Sequence, residues 1–337
     1  MNSLYKIYIK KTAVMFVIGI LFSLLFTYLT YSNCSEAFKG FPAELYDTWE
    51  ISKMLSDYAS CCFMLNLVLT AILIYNFYMY RNKRTGIFIR QLPVRSDSDF
   101  IIKAVLIIVL ITVLAVFEIL IFNILTKDFI ANSYSKVAEY YNLENIQIKS
   151  LAELYDEYYS SFKSFYVLTL FVSSAMFLFS GCLGITSFSI AMPFIVFLGF
   201  MGFLFGFSRF ITDLRLNLDT HMVQNLNYII NRLKFFTDIK FETSYPYVFE
   251  LSITFILYII SYFCSKFINY SKIGQLFLFK WAKVLTYFFG CIFGGFSFYY
   301  IGSGILTPDS TVILILILFI SIAISYIIIN KIEKVFI

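Results

Sequence analysis

The sequence predicts an all-α integral membrane protein with about eight transmembrane helices, and three observations predict it. Hydrophobic residues make up 60% of the 337 residues, and the mean hydropathy is +0.81. Charged residues make up only 14%, well under the roughly 25% of an ordinary globular chain, and a soluble fold could not hide so much apolar surface. The apolar residues fall into runs of ~20, the length a helix needs to cross the ~30 Å of hydrocarbon in a bilayer. Aromatics at 20% suit lipid-facing surfaces and interfacial belts. The formal charge of +5 gathers in short loops between the runs, so it is not the signature of nucleic-acid binding.

The first span covers about residues 12–31, behind Lys6, Lys10 and Lys11. Its apolar run is too long for a cleaved signal peptide and no small-x-small site follows, so it reads as a retained anchor with its N-terminus inside. An outer segment, 32–57, is acidic in balance, with Glu36, Glu44, Asp47, Glu50 and Asp57 against Lys39 and Lys53. The second span, about 58–79, leads into the most basic stretch of the chain, Tyr80 to Lys103. There Arg81, Lys83, Arg84, Arg90, Arg95 and Lys103 face only Asp97 and Asp99. Lys and Arg beside span ends resist translocation, which places this loop and both termini in the cytoplasm.

The third span, about 104–125, leads to an outer segment, 126–163. There Val137, Tyr141, Ile148, Leu151, Tyr155, Tyr158 and Phe162 recur mostly three, four or seven apart, as on one helical face. Residues 164–207 are nearly uncharged and twice a span in length. They read as two spans, 164–185 and 187–207, turning near Thr186-Ser187; a re-entrant hairpin here would leave six spans. The outer segment 208–248 carries Ile211, Leu214, Leu218, Met222, Leu226, Ile229, Leu233 and Phe236 at helical spacing, which predicts a long amphipathic helix. Spans at about 249–268, 285–305 and 311–330 and a basic tail complete a single membrane domain. Gly202 with Gly206 and Gly290 with Gly294 stand four apart within spans, a spacing that suits close helix packing. They serve either ordinary packing within the chain or a moving or dimerising interface.

Groups that could perform catalysis are scarce. The one histidine, His221, stands next to Met222 of the apolar stripe and reads as a lone structural histidine, and no HExxH, CxxC or GxxxxGK[ST] motif occurs. The chain therefore reads as a non-enzyme that binds no cofactor itself; if ATP drives it, another polypeptide supplies the ATPase. Cys61, Cys62, Cys182, Cys264 and Cys291 fall within spans, as small hydrophobes, and Cys34 is expected in an outer loop without a partner, so no disulfide framework is expected. Glu118 is the one clearly intramembrane carboxylate, about two turns from the outer end of its span. Such residues are costly in hydrocarbon and mark functional candidates.

Two inner loops carry a family resemblance. Leu92, Pro93, Val94 and Arg95, followed by Phe100 and by Lys103 at the next span, resemble the first inner loop of ABC-2-type transporter permeases, the membrane subunits of many bacterial exporters. Gly274, Phe279, Lys280 and Lys283 resemble the second inner loop of a subgroup with long outer loops, although Ser271 and Ile273 replace its Glu and Ala. Asp97 and Asp99 also depart from the family, which has basic or apolar residues there. The resemblance implies a permease in the bacterial plasma membrane that dimerises with itself or a sibling permease. It would be powered by ATP through a separate ABC ATPase subunit docked on Leu92, Pro93, Val94, Arg95, Phe100, Gly274, Phe279 and Lys283. It further implies export of a peptide, antibiotic or lipid-like compound. Two other classes stay open at this level: an ion-coupled carrier using Glu118, and a non-transporting scaffold whose outer helices bind a partner.

Overall fold

A computed structural model describes residues 3–40, 48–78, 96–143, 148–183, 186–215, 246–267, 277–306 and 311–335. These residues form eight helices: α1 (Ser3–Gly40), α2 (Thr48–Tyr78), α3 (Ser96–Leu143), α4 (Leu151–Cys182), α5 (Thr186–Arg215), α6 (Pro246–Lys266), α7 (Lys280–Leu306) and α8 (Thr311–Val335). The only β pairing among the described residues is one isolated bridge, Leu183 with Phe277. Helices satisfy their own backbone donors and acceptors, which lipid cannot do, so long apolar runs resolve to this one element type.

The protein is an all-α polytopic membrane protein. Seven of the helices are long and apolar enough to cross a membrane: Tyr5–Ser35, Ile51–Tyr78, Ser98–Glu139, Leu151–Cys182, Phe188–Phe210, Lys280–Ser303 and Ile313–Lys334. The eighth, α6, has 21 residues, about 30 Å of helix and the length of one crossing. Of the two readings of residues 164–207, α4 and α5 fit the pair of spans, since each is long enough to cross by itself.

The helices run further than the spans expected from hydropathy. With 48 residues, α3 extends roughly 70 Å, more than twice the hydrocarbon thickness. Its last turns and the first turns of α4 take up the segment expected as a separate outer helix, 126–163. Asn123 donates to the Tyr159 hydroxyl (3.0 Å) and the Tyr134 hydroxyl to the Lys149 carbonyl (3.1 Å) across the hairpin. Val137, Tyr158 and Phe162, all on the apolar face read from the sequence, are buried. A capping box starts α4: the Ser150 N–H donates to Glu153 Oε2 (2.8 Å), and the Glu153 N–H to Ser150 Oγ (3.3 Å). Cys34 is corrected from a loop position to α1, where it is buried against Ile51, Met54, Tyr58 and their neighbours.

The chain divides into two compact units. The first holds residues 1–78, 94–177 and 247–262, and the second holds 79–93, 178–246 and 263–337. Within the first, α1 packs on both α2 and α3, and α2 on α3. Gly19 permits this: a Cβ there would lie 2.5 Å from Leu114 Cδ2 and 3.1 Å from Leu69 Cδ1.

Within the second unit, α7 lies between α5 and α8. The glycine pairs serve this packing inside the chain. Gly202 faces Ser297 and Gly206 the Phe296 carbonyl, both on α7. Gly290 and Gly294 face Ile329 and Ser325 on α8. Phe203 and Phe207 stack at 5.5 Å and meet the edge of Phe296 at 5.2 and 5.6 Å. Of the long helix expected over 208–248, residues 208–215 belong to α5 and 246–248 to α6, while 216–245, His221 among them, lie outside the described residues.

Candidate functional site

Glu118 sits in the middle of the first unit, on the face of α3 turned to α1 and α2, with no solvent exposure. Asn66 Nδ2 of α2 donates to its Oε2 at 2.9 Å, and Ser23 Oγ of α1 lies 3.4 Å from its Oε1. The Tyr58 hydroxyl donates to the Glu118 backbone carbonyl at 2.9 Å, while the Tyr58 ring stacks on Phe122 at 4.2 Å. Three helices thus converge on one carboxyl group. Among the described residues no ion pair reaches it; its side-chain partners there are a neutral amide, which donates, and a neutral hydroxyl.

Local sequence explains the placement. Ser23 and Thr27, one turn apart on α1, both return their hydroxyls to carbonyls four residues back (2.8 Å each), the usual way a helix keeps such groups satisfied in lipid. Asn66 is carried on the buried face of α2 with Tyr58, Cys62 and Leu69. A small recess between α2, α3 and α4 is lined by Asn66 together with Phe63, Ile111, Phe165, Tyr166 and Thr169. Tyr166 shares a hydrogen bond with Thr112 at 3.0 Å, and Phe63 stacks on Phe165 at 5.0 Å. Among the described residues, Asn66 Oδ1 and the Thr70 hydroxyl are buried without a hydrogen-bond partner.

A second polar cluster lies where α2 ends and α3 begins, at the two margins of the basic loop. Lys103 is 1% exposed and pairs with Asp99 one turn earlier, at 2.5 Å. Its ammonium also stands over the Tyr78 ring (4.8 Å) and the Tyr8 ring (5.2 Å), a cation–π arrangement strengthened by desolvation. Lys11 Nζ reaches the Asn76 carbonyl of α2 at 3.5 Å. Phe100 is buried beside this pair and meets Phe177 and Tyr262 edge-on at 5.6 and 5.7 Å. The acid at 99, out of place in the resemblance, has a local purpose: it neutralises a buried lysine.

The loop residues Leu92, Pro93, Val94, Arg95 and Gly274 lie outside the described residues. Phe100 is taken up by packing within the first unit. Phe279 stacks on Trp281 (5.8 Å) and packs on the small cluster of Cys182, Cys264 and Ala282. Lys283, half exposed, pairs with Glu333 of α8 at 2.6 Å, and Glu333 also accepts the Tyr287 hydroxyl at 2.5 Å. Of the residues singled out from sequence, Phe279 and Lys283 share the start of α7 and its approach, and Phe100 and Glu118 share α3. Sequence reasoning missed Ser23, Asn66 and Asp99 as partners. The signal was present in one case: Asp99 and Lys103 stand four apart, the spacing of one helical turn. Ser23 and Asn66 carried no such mark, because partners from other helices have no fixed sequence offset. No known protein family, no curated protein and no solved structure matches this chain.

Proposed function

We propose that the chain is the membrane-spanning permease subunit of an ATP-driven exporter of the ABC-2 type, moved by a separate ATPase subunit. The observation that carries this reading is the construction at the two margins of the basic loop. A loop that receives a push must hand it to rigid spans. Here the Lys103–Asp99 pair, held under Tyr8 of α1 and Tyr78 of α2, ties together the ends of the three helices that enclose Glu118. The Leu-Pro-Val-Arg element at 92–95, which resembles the docking loop of such permeases, falls between α2 and α3. Pro93 removes a backbone donor and fixes one torsion angle, which stiffens the loop. Peptides, antibiotics or lipid-like compounds are the substrates this reading carries with it.

The burial of Phe100 sharpens the test. Phe100→Ala would empty a packed site at a cost of about 3–5 kcal/mol, so it cannot separate docking from folding. Leu92→Ala with Val94→Ala instead changes two apolar residues of the stretch that joins α2 to α3. Losing anchors of this kind costs a complex ~2 kcal/mol or more, and a rim charge such as Arg95 much less. The double variant is expected to insert and run as a folded protein in detergent size exclusion, yet release its ATPase during purification. A full complement of co-purified ATPase, with stimulated ATP hydrolysis intact, would remove the reading.

A second reading, a proton- or ion-coupled carrier, is favoured by one observation, the fully buried carboxyl of Glu118, whose partners among the described residues are neutral. Transport by the isolated chain in liposomes, driven by an imposed proton gradient and abolished by Glu118→Gln, would establish it over the first.

A further inference from the structure

We propose that Cys182 and Cys264 form a peroxide-sensitive dithiol, a modification site that closes to a disulfide and clamps the segment leading into α7. The two thiols belong to the second unit. Cys182 ends α4, Cys264 lies in the last turn of α6, and their sulfurs stand 3.8 Å apart with the Cys182 S–H directed at the Cys264 sulfur. The pair is separated by 82 residues of chain, so nothing local forces the two together. Both are buried, at 4% and 8% exposure, with Ala282 completing the cluster and Leu178, Phe277 and Phe279 packed around it.

The surroundings give a disulfide something to hold. The Leu278 N–H donates to the Cys182 carbonyl at 2.9 Å, and Leu183 bridges Phe277. The segment entering α7 is therefore pinned to the residue that carries one of the sulfurs. In the reduced protein, Cys264 of α6 meets this arrangement through packing and a weak, non-covalent S–H···S contact. A covalent bond would fix the end of α6 to the end of α4, and with it the attachment of residues 277–279.

The chemistry balances with one molecule of hydrogen peroxide. The sulfur of Cys264, the less buried of the two, attacks a peroxide oxygen, the O–O bond breaks, and a sulfenic acid and water result. The sulfur of Cys182 then attacks the sulfenic sulfur, the S–O bond breaks, the Cys182 thiol proton leaves with the oxygen, and a second water forms. Two thiols are oxidised, one peroxide is reduced, and dithiol reductants reverse the change by exchange. Closing the bond brings the sulfurs from van der Waals contact to about 2.0 Å. Cys61 and Cys62, adjacent on α2, are the internal control: Cys62 is fully buried and Cys61 is exposed, so successive positions point their sulfurs to different sides of the helix.

The experiment uses the full chain in native membranes. Membranes are treated with hydrogen peroxide, thiols are then blocked with N-ethylmaleimide in denaturant, and peptides are mapped by mass spectrometry. The expected product is a 182–264 linked peptide, absent after dithiothreitol, with Cys61 and Cys62 recovered as separate alkylated thiols. In Cys182→Ser, dimedone is expected to trap a sulfenic acid at Cys264; in Cys264→Ser, trapping at Cys182 should be several-fold weaker, as the deeper burial implies. Hydrogen exchange at the Leu278 amide is expected to slow roughly tenfold or more in the oxidised protein. Recovery of both cysteines as alkylated thiols, or their conversion to sulfinic and sulfonic acids without a link, overturns the site. A link with unchanged exchange at Leu278 overturns the clamp.

Discussion

Glu118 is defined by the groups that meet it. Replacing it with Gln keeps an oxygen for the Asn66 amide and leaves a group that can hydrogen-bond to Ser23, so stability is expected to change by less than about 1 kcal/mol. Leucine at the same place would strand the Asn66 amide in a dry site and cost about 1–3 kcal/mol. Thermal unfolding in detergent, run on both variants side by side, checks the ordering; a Gln variant as damaged as the Leu variant would contradict the geometry. Lys103 and Asp99 make the companion case. Removing one partner of a buried pair costs about 3–5 kcal/mol, whereas replacing both by apolar residues is close to neutral. Lys103→Met alone should therefore lower the yield of folded protein more than Lys103→Met with Asp99→Leu. That Glu118 lay in a span was legible from the apolar run around it. Its partners were not, since they come from helices 95 and 52 positions away in the chain.

At the level of elements, spacing told more than hydropathy. The apolar face over 137–162 was legible because Val137, Tyr158 and Phe162 keep a helical period, and all three are buried. Its division between two helices was not read from hydropathy, although Ser150-Leu151-Ala152-Glu153 marks a helix start by the pairing of Ser with Glu three residues on. The glycine pairs were legible as packing sites but not as to partner. A β-carbon at Gly206 would run into the Phe296 carbonyl, a backbone atom that cannot rotate away, while one at Gly199 would sit 3.4 Å from Phe293 Cβ, near ordinary contact. Gly206→Ala is therefore expected to cost about 1–3 kcal/mol through overpacking, and Gly199→Ala far less. Comparing the two in one detergent by thermal aggregation separates a close α5–α7 approach from a general demand for glycine in α5. Equal tolerance would mean that the two helices stand further apart.

For the molecule as a whole, the membrane topology joins the basic loop to every functional reading, because an ATPase can dock only from the cytoplasm. Positive residues fix the expected orientation, while the structure supplies two positions suited to testing it. Ser98 stands in the first turn of α3 and Ser150 caps α4, and both are exposed. Nearly the whole of α3, 48 residues in all, lies between them, and its roughly 70 Å exceed the full thickness of a bilayer with its headgroups. The two serines are then expected on opposite sides of the membrane. Single cysteines at Ser98 and Ser150, in a background lacking the native six, are expected to differ in labelling by an impermeant maleimide. Ser150→Cys should react in intact cells, although loss of the cap will cost α4 about 1 kcal/mol. Ser98→Cys should react only after permeabilisation. Lys149→Cys, exposed one residue earlier, gives the same readout with the capping box intact. Reaction of Ser98→Cys in intact cells would invert the chain, put the 92–95 element outside, and end the permease reading together with its docking site.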